Sequence, residues 1–334
     1  MIPVPLYLRS SAFEIPPGRV PMEEIRRRER GRYAEQLAAL TPALRTRLEA
    51  QLGVTSVAQH PGRPSELALP AVTRALERAG VQPAELGAIL DYSTLPGDHP
   101  GVAALANQVQ GALGADRAVP FGVSGSGCAG WLVALRVAAT WLCAHGGATL
   151  LFGADCSPVV GRCSLPVSIM GDAASAAVLS VIPPRSTPRL RLLAVTTTTL
   201  GTHHALIRAS GSPPRIEIDA GAFEQFVLPL HFVMCERVLT RALTEAARTR
   251  DSITHLVYPN TTALDRASVE RALALPSARF PGPGPEQLGH AFANDLLINL
   301  PDPLALEPPA TIAMVGVGSG FTWGAAILDV EPAA

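Results

Sequence analysis

VPFGVSGSGCAGWLVALRVAATWLCAHG, residues 119–146, is the stretch on which the reading of this chain turns. A strand-like VPFGV runs into the small-residue segment SGSGCAG, and then into apolar residues at helical spacing. That order puts Cys128 at the start of a helix. A thiol there meets the positive end of the helix dipole and amides that lack intrahelical acceptors. Both favour the thiolate and can hold an oxyanion. The small neighbours let a substrate approach closely. A buried structural cysteine is the competing reading, since free Cys often behaves as a small hydrophobe.

Outward from that segment, strands and helices alternate. On the N-terminal side, residues 21–60 are charged and carry Leu and Ala at helical spacing; a second helix is expected over Pro64–Gly80, a buried strand over Ala88–Ser93, and an amphipathic helix over 101–114. On the C-terminal side, ATLLFGAD (148–155) reads as a buried strand, and GDAASAAVLSVIP (171–183) as a tight turn entering another. From about residue 188 the grammar restarts. RLRLLAVTTTT (189–199) and HLVYP (255–259) predict strands, while 222–248, 267–275 and 288–300 predict helices. TIAMVGVGSG and FTWGAAILDV (311–330) predict a closing strand pair around a glycine-rich bend, which aims amides toward a site. The alternation implies α/β layering with mostly parallel strands. Pro183, Pro184 and Pro188 mark a seam near residue 186, dividing the chain into 1–186 and 187–334.

Composition narrows the chemistry. Hydrophobic residues make up 48% and aromatics only 5%, the profile of a soluble α/β enzyme. Lys plus Arg (27) nearly cancels Asp plus Glu (28), so no nucleic-acid or membrane surface is expected. The basic run RRRERGR (26–32) is interrupted by Glu29 and reads as a solvated helix face. No lysine occurs anywhere, which excludes a Schiff-base lysine, pyridoxal-phosphate attachment and a phosphate-loop lysine. The five cysteines are odd in number and lack CxxC spacing. His231 and Cys235 could share a helix face, but no second ligand pair completes a zinc site. Neither a metal nor a disulfide framework is expected, and reduced thiols fit the cytoplasm. The N-terminus reads as a strand and loop, with no signal peptide, and no apolar run is expected to span a bilayer.

Three segments together carry a family resemblance. GCAGWLVAL around Cys128, GADCS followed by MGDAASAAVL, and VGVGSGFTWGAAIL occur in an order that resembles the ketosynthase III (β-ketoacyl-carrier-protein synthase III) family of the thiolase superfamily. The resemblance implies a thiolase-like five-layered αβαβα fold of two similar halves, a homodimer, and Cys128 as an acyl-carrying nucleophile. It also implies a phosphopantetheine thioester, on an acyl carrier protein or coenzyme A, as donor, with no separate cofactor. The amides of Cys128 and Ser319 would form the oxyanion hole, Ser319 standing where the family usually has Gly.

The departures are specific. Condensing members pair the cysteine with a His in a PHQAN-like motif and an Asn in a GNTSAA-like motif. Here LVYPNTTA places Asn260 at the first, and LGHAFAND places His290 at the second. Both are expected to face the thiol. His290 fits a general base for acyl transfer to a hydroxyl, with Asp295 or Asn294 orienting the imidazole. GHAFAND resembles a natural-product acyltransferase branch of the family, which has a His here and an Asp five residues on. The expected activity is acyl transfer from the Cys128 thioester to a small-molecule acceptor hydroxyl, of a sugar or similar, or to a carrier. Decarboxylative condensation and a non-catalytic partner-subunit role remain alternatives. The resemblance puts His203 near the substrate entrance, and Asp98 and His99 where the family's chain reaches across the dimer toward the partner's acyl pocket, as weaker substrate-binding candidates; a solvated loop is the simpler reading of His203 with His204.

Overall fold

The computed structural model describes residues 2, 4–99, 104–157, 161–184, 188–210, 215–275, 278–302 and 305–332. Nine strands form the main sheet: β1 (Leu6–Glu14), β2 (Leu86–Asp91), β3 (Val119–Gly122), β4 (Ala148–Asp155), β5 (Ala173–Ser180), β6 (Arg189–Thr199), β7 (Ile253–Val257), β8 (Ala310–Gly318) and β9 (Thr322–Glu331). The framework helices are α1 (Pro64–Ala79), α2 (Leu105–Leu113), α3 (Gly130–His145), α4 (Leu228–Ala246), α5 (Ala263–Leu273) and the single turn α6 (Asp295–Ile298). Helix α1 follows directly from sequence. Pro64 sits in its first turn, Gly80 closes it at φ +58°, and Leu67, Ala71, Val72, Ala75 and Leu76 form its buried stripe.

The strand order is β7-β8-β9-β6-β1-β5-β4-β2-β3. β2 pairs parallel with β3 and β4, and β7 with β8; the remaining neighbours are antiparallel. The sheet is therefore mixed, not mostly parallel. A strand that follows a tight turn, such as β9 after β8, has to run back antiparallel. The pairing also exposes an internal repeat. β2-β4-β5-β1 and β7-β8-β9-β6 share one pattern of parallel, antiparallel and antiparallel contacts, with α1 and α4 at the same place in each half. The halves join where β1 meets β6, Leu6 opposite Leu192. Residue 186, the expected seam, lies outside the described residues.

Five layers result. Helix α3 packs on β2 and β4 of one half and on β6 and β9 of the other, so it lies between the two sheet regions. Its core includes Trp131, Leu132, Leu135, Leu151, Leu192, Ile312 and Met314. Helices α1 and α2 cover the outside of the first half, and α4 and α5 that of the second. The stretch Gly127–His145 is, by length and composition alone, apolar enough to cross a membrane, which the sequence reading did not expect. Half of it is buried as this central helix.

Other expectations change in detail. Residues 21–60 form three short helices, Met22–Arg28, Arg30–Ala38 and Pro42–Ala50, followed by a strand Ser56–Ala58. Pro42 starts a new helix because it has no amide to continue the old one. Gly101–Ala103, at the start of the expected 101–114 helix, lie outside the described residues. The 222–248 helix opens with one π-helical turn, Phe223–Val227, before α4. The helix expected over 288–300 shrinks to a 3-10 turn, Phe292–Asn294, and α6. Gly289 (φ +71°) and Phe292 (φ +57°) break helical geometry there. The amide of His290 bonds instead to Ile169, and its carbonyl accepts from Gly171.

Candidate active site

Cys128 lies in a 3-10 turn, Gly127–Ala129, that leads into α3. The glycine bend between β8 and β9 packs directly on this turn. A Cβ on Gly318 would overlap the carbonyl of Ser126 and lie 2.6 Å from the amide of Cys128. A Cβ on Gly127 would lie 2.6 Å from the amide of Ser319. Both glycines are thus required by close backbone approach, and that approach gathers the Cys128 and Ser319 amides at one place.

His290 Nε2 lies 3.0 Å from Cys128 Sγ, and His290 Nδ1 lies 2.5 Å from Asp295 Oδ2. The same carboxylate accepts from the amides of Asn260 (2.7 Å) and Ala291 (2.9 Å). Asp295 is thereby fixed as an acceptor, so Nδ1 of His290 is the donor to it and Nε2 faces the thiol. Burial opposes charge on His290, but Cys128 on one side and Asp295 on the other outweigh it and hold the imidazole pKa well above 6.5. Two strand-like bonds anchor the His290 segment to residues 169–171, next to Asp172. Asp172 in turn is clamped by Arg162 in a buried two-toothed ion pair of 2.9 and 3.0 Å, and accepts the amides of His60 and Ser157.

Asn260 departs from expectation. Its side-chain nitrogen is 3.4 Å from Asp295, and its oxygen accepts from Asn299 at 2.8 Å. Its side chain is thus bonded to Asp295 and Asn299, and no hydrogen bond joins it to Cys128 among the described residues. The reason is local: the Asn260 amide is itself a ligand of Asp295, which turns the side chain the same way. Asn294 does not orient His290 either. It donates to Asp155 (2.9 Å) and accepts from Ser175 (2.8 Å), which also bonds to the Tyr92 hydroxyl. Asp155 also accepts the amides of Thr94 and Leu95. Burial is the main reason its carboxyl is pushed up to about 7.

A cavity of about 220 Å³ opens on the thiol. Cys128, His290, Phe292, Gly318, Ser319 and Phe321 line its reactive end, and Ile207, Ile218, Phe223, Val227 and Phe232 give much of its apolar wall. Thr94, held by Asp155, also faces it. The weaker candidates stand apart. Asp98 accepts the amide (3.1 Å) and hydroxyl (2.5 Å) of Ser65 in the first turn of α1, so it acts as a helix-start acceptor. His99 is exposed, and neither residue lines the cavity. His203 stacks on Phe226 and meets the cavity residue Phe321 edge-on, and His204 is exposed.

One polar group in the cavity was not foreseen. His231 and Asp265 line it, and Tyr258 bridges them: His231 Nε2 is 2.9 Å from the Tyr258 hydroxyl, which donates to Asp265 at 2.8 Å. His231 also approaches Cys235 at 3.8 Å, so the two do share a helix face. No group of three or more metal-ligating side chains surrounds them among the described residues. Nothing short-range in the sequence announces this set, because its members lie on α4, at the end of β7 and on α5.

Curated relatives and solved structures agree with this architecture. The chain is 26% identical over 283 residues to a β-ketoacyl-[acyl-carrier-protein] synthase III of Nostoc sp., covering 79% of this chain and 83% of that protein. It is 29% identical over 281 residues to the synthase III of Thermosynechococcus vestitus, covering 78% and 82%. No protein-family model matches the chain. Among solved structures, the acyltransferase ChlB3 superposes with a TM-score of 0.79 at 22% identity, over 99% of both chains. The 3-oxoacyl-(acyl carrier protein) synthase III of Pseudomonas aeruginosa gives 0.77 at 21%, over 99% of both. OleA of Xanthomonas campestris, with bound lauric acid and lauroyl-CoA, gives 0.78 at 15%, over 98% and 100%. The fold is thiolase-like, and the resemblance to ketosynthase III seen in the three motifs extends over about four fifths of the chain.

Proposed function

We propose that this chain is an acyltransferase that moves an acyl group from a phosphopantetheine thioester, on an acyl carrier protein or coenzyme A, through a Cys128 thioester to an acceptor hydroxyl. The observation that carries this reading is the continuous relay Cys128–His290–Asp295, with His290 between thiol and carboxylate at 3.0 and 2.5 Å. A homodimer in the cytoplasm is the proposed working form.

In the first step the Cys128 thiolate attacks the donor carbonyl, and the amides of Cys128 and Ser319 receive the oxyanion. The C–S bond to the carrier breaks, and His290 gives its proton to the leaving thiolate. Acylation then removes the negative sulfur from beside Nε2. Burial is left opposed by Asp295 alone, and His290 loses part of what held it protonated. It enters the second step as a base. The acceptor hydroxyl gives its proton to Nε2 as its oxygen attacks, the C–S bond to Cys128 breaks, and the ester leaves. Asp295 stabilises the imidazolium that is present before the first step and forms again in the second.

Condensation is the second reading, favoured by the synthase III names of the relatives. It needs two donors at the thiol for the enolate that decarboxylation creates. Asn260 is engaged with Asp295 and Asn299, which among the described residues leaves His290 as the polar side chain bonded to Cys128. The discriminating experiment supplies acyl-enzyme with a malonyl thioester labelled at its free carboxyl, or with alcohol acceptors. Ester formation without labelled carbon dioxide supports transfer; release of labelled carbon dioxide with a β-keto product rejects it.

A further inference from the structure

The cavity beside Cys128 holds a polar set that the acyl-transfer chemistry leaves unused. Asp265 Oδ2 accepts from the Tyr258 hydroxyl (2.8 Å) and from the Thr261 hydroxyl (2.6 Å). Its other oxygen, Oδ1, has among the described residues only a long approach to His231 Nε2 at 3.5 Å. Asp265 is in the first turn of α5, where an acidic residue commonly serves the helix itself. Here the cap is supplied by Thr262, whose hydroxyl accepts the Asp265 amide at 3.1 Å. The carboxylate is turned instead toward β7 and the cavity.

No arginine is ion-paired with Asp265 among the described residues. Trp323 Nε1 donates to His231 Nδ1 at 3.2 Å, so that nitrogen carries a lone pair and the imidazole is neutral. Burial acts in the same direction on His231 and outweighs the attraction of Asp265. Arg47 also lines the cavity but is exposed, and no ion pair joins it to Asp265 among the described residues. Arg266, the next residue, is turned to the carbonyl of Phe280. A carboxylate 18% exposed on a largely apolar wall, with one oxygen under-used, can accept a further donor or cation from an occupant.

We infer that Asp265 is the receiving group for an ammonium on the acceptor, so that the acceptor class is an amino alcohol, amino sugars included. This rests on the acyl-transfer reading for what becomes of the hydroxyl: it loses its proton to His290 as the ester C–O bond forms and the C–S bond to Cys128 breaks. The ammonium takes no part in the bond changes. Tyr258, Thr261 and His231 act as positioning residues that hold the carboxylate in place. A carboxylate end group in the same place is repelled.

The test is calorimetric binding to the unacylated enzyme of three probes of equal length: aminohexanol, hexanediol and hydroxyhexanoate. They share a hydroxyl and differ in whether the other end is cationic, neutral or anionic. Aminohexanol is expected to bind about tenfold more tightly than hexanediol, with hydroxyhexanoate weakest. In Asp265→Asn, which keeps an acceptor for Tyr258 and Thr261, aminohexanol is expected to fall to within about twofold of hexanediol. Equal binding of the three probes to wild type, or an unchanged preference in the variant, overturns the inference. The wild-type series decides by itself if the variant does not fold. Because binding needs no acylation, this result stands apart from whether Cys128 carries an acyl group.

Discussion

Replacing Asp295 with Asn tests the relay at its least replaceable point. The two carboxylate oxygens accept four N–H groups, from His290 Nδ1, the amides of Asn260 and Ala291, and the Asn260 side chain. An amide of the same shape has one acceptor atom. Turned either way, its NH₂ meets a donor. The variant loses the charge-assisted bond to the imidazolium, worth about 1.5–3 kcal/mol, and leaves a buried donor unsatisfied at about 1–3 kcal/mol. A net loss of about 3–5 kcal/mol in the transition state slows transfer roughly 10²- to 10⁴-fold. The assay is single-turnover transfer from pre-formed acyl-Cys128 to an alcohol acceptor, monitored by intact mass, with circular dichroism to show that the variant is folded. A folded variant within threefold of the wild-type rate would refute the role given to Asp295.

Three further outcomes follow from the same geometry. Cys128→Ser removes the sulfur that helps hold His290 protonated, so the His290 titration, followed by NMR of labelled histidine, is expected to move to lower pH; an unmoved midpoint contradicts the coupling. Asp155, moved from an ordinary 3.8 to about 7 mainly by burial, binds its proton more tightly in the folded state. Its contribution is full below pH 3.8 and is lost as pH rises through about 7, a change of roughly 4 kcal/mol. Denaturant melts of Asp155→Asn should therefore lack that decline, and parallel wild-type and variant profiles would show otherwise. Gly318→Ala forces a methyl against the Ser126 carbonyl and the Cys128 amide, and is expected to cost about 1–3 kcal/mol of stability and to slow Cys128 acylation; a variant as stable and reactive as wild type would show that the loop yields freely.

The readable parts of this molecule are those carried by neighbours in sequence. A small-residue turn before an apolar helix placed Cys128, and the glycine bend before FTWGAAIL placed Ser319 against it. His290 and Asp295 are five residues apart and meet as the pattern implied. The side chain of Asn260 was misdirected because its position in the motif said nothing of the backbone bond that pulls it toward Asp295. The 288–300 segment has the apolar periodicity of a helix, yet Gly289 and Phe292 at positive φ and the bonds of His290 to residues 169 and 171 keep its first half irregular. The ties made across the fold were hidden. Arg162 with Asp172 supports the histidine segment, while His231, Tyr258 and Asp265 come together from three elements, and only three-dimensional packing reveals either set.

The most direct test of the central claim is intact-protein mass spectrometry after incubation with a panel of acyl thioesters on coenzyme A and acyl carrier protein, comparing wild type with Cys128→Ala and His290→Ala. One donor is expected to add its acyl mass to wild type but not to Cys128→Ala, and an alcohol acceptor should then discharge it from wild type far faster than from His290→Ala. Absence of an acyl adduct with every donor, or an adduct that survives in Cys128→Ala, would contradict the account and turn attention to a non-catalytic partner role.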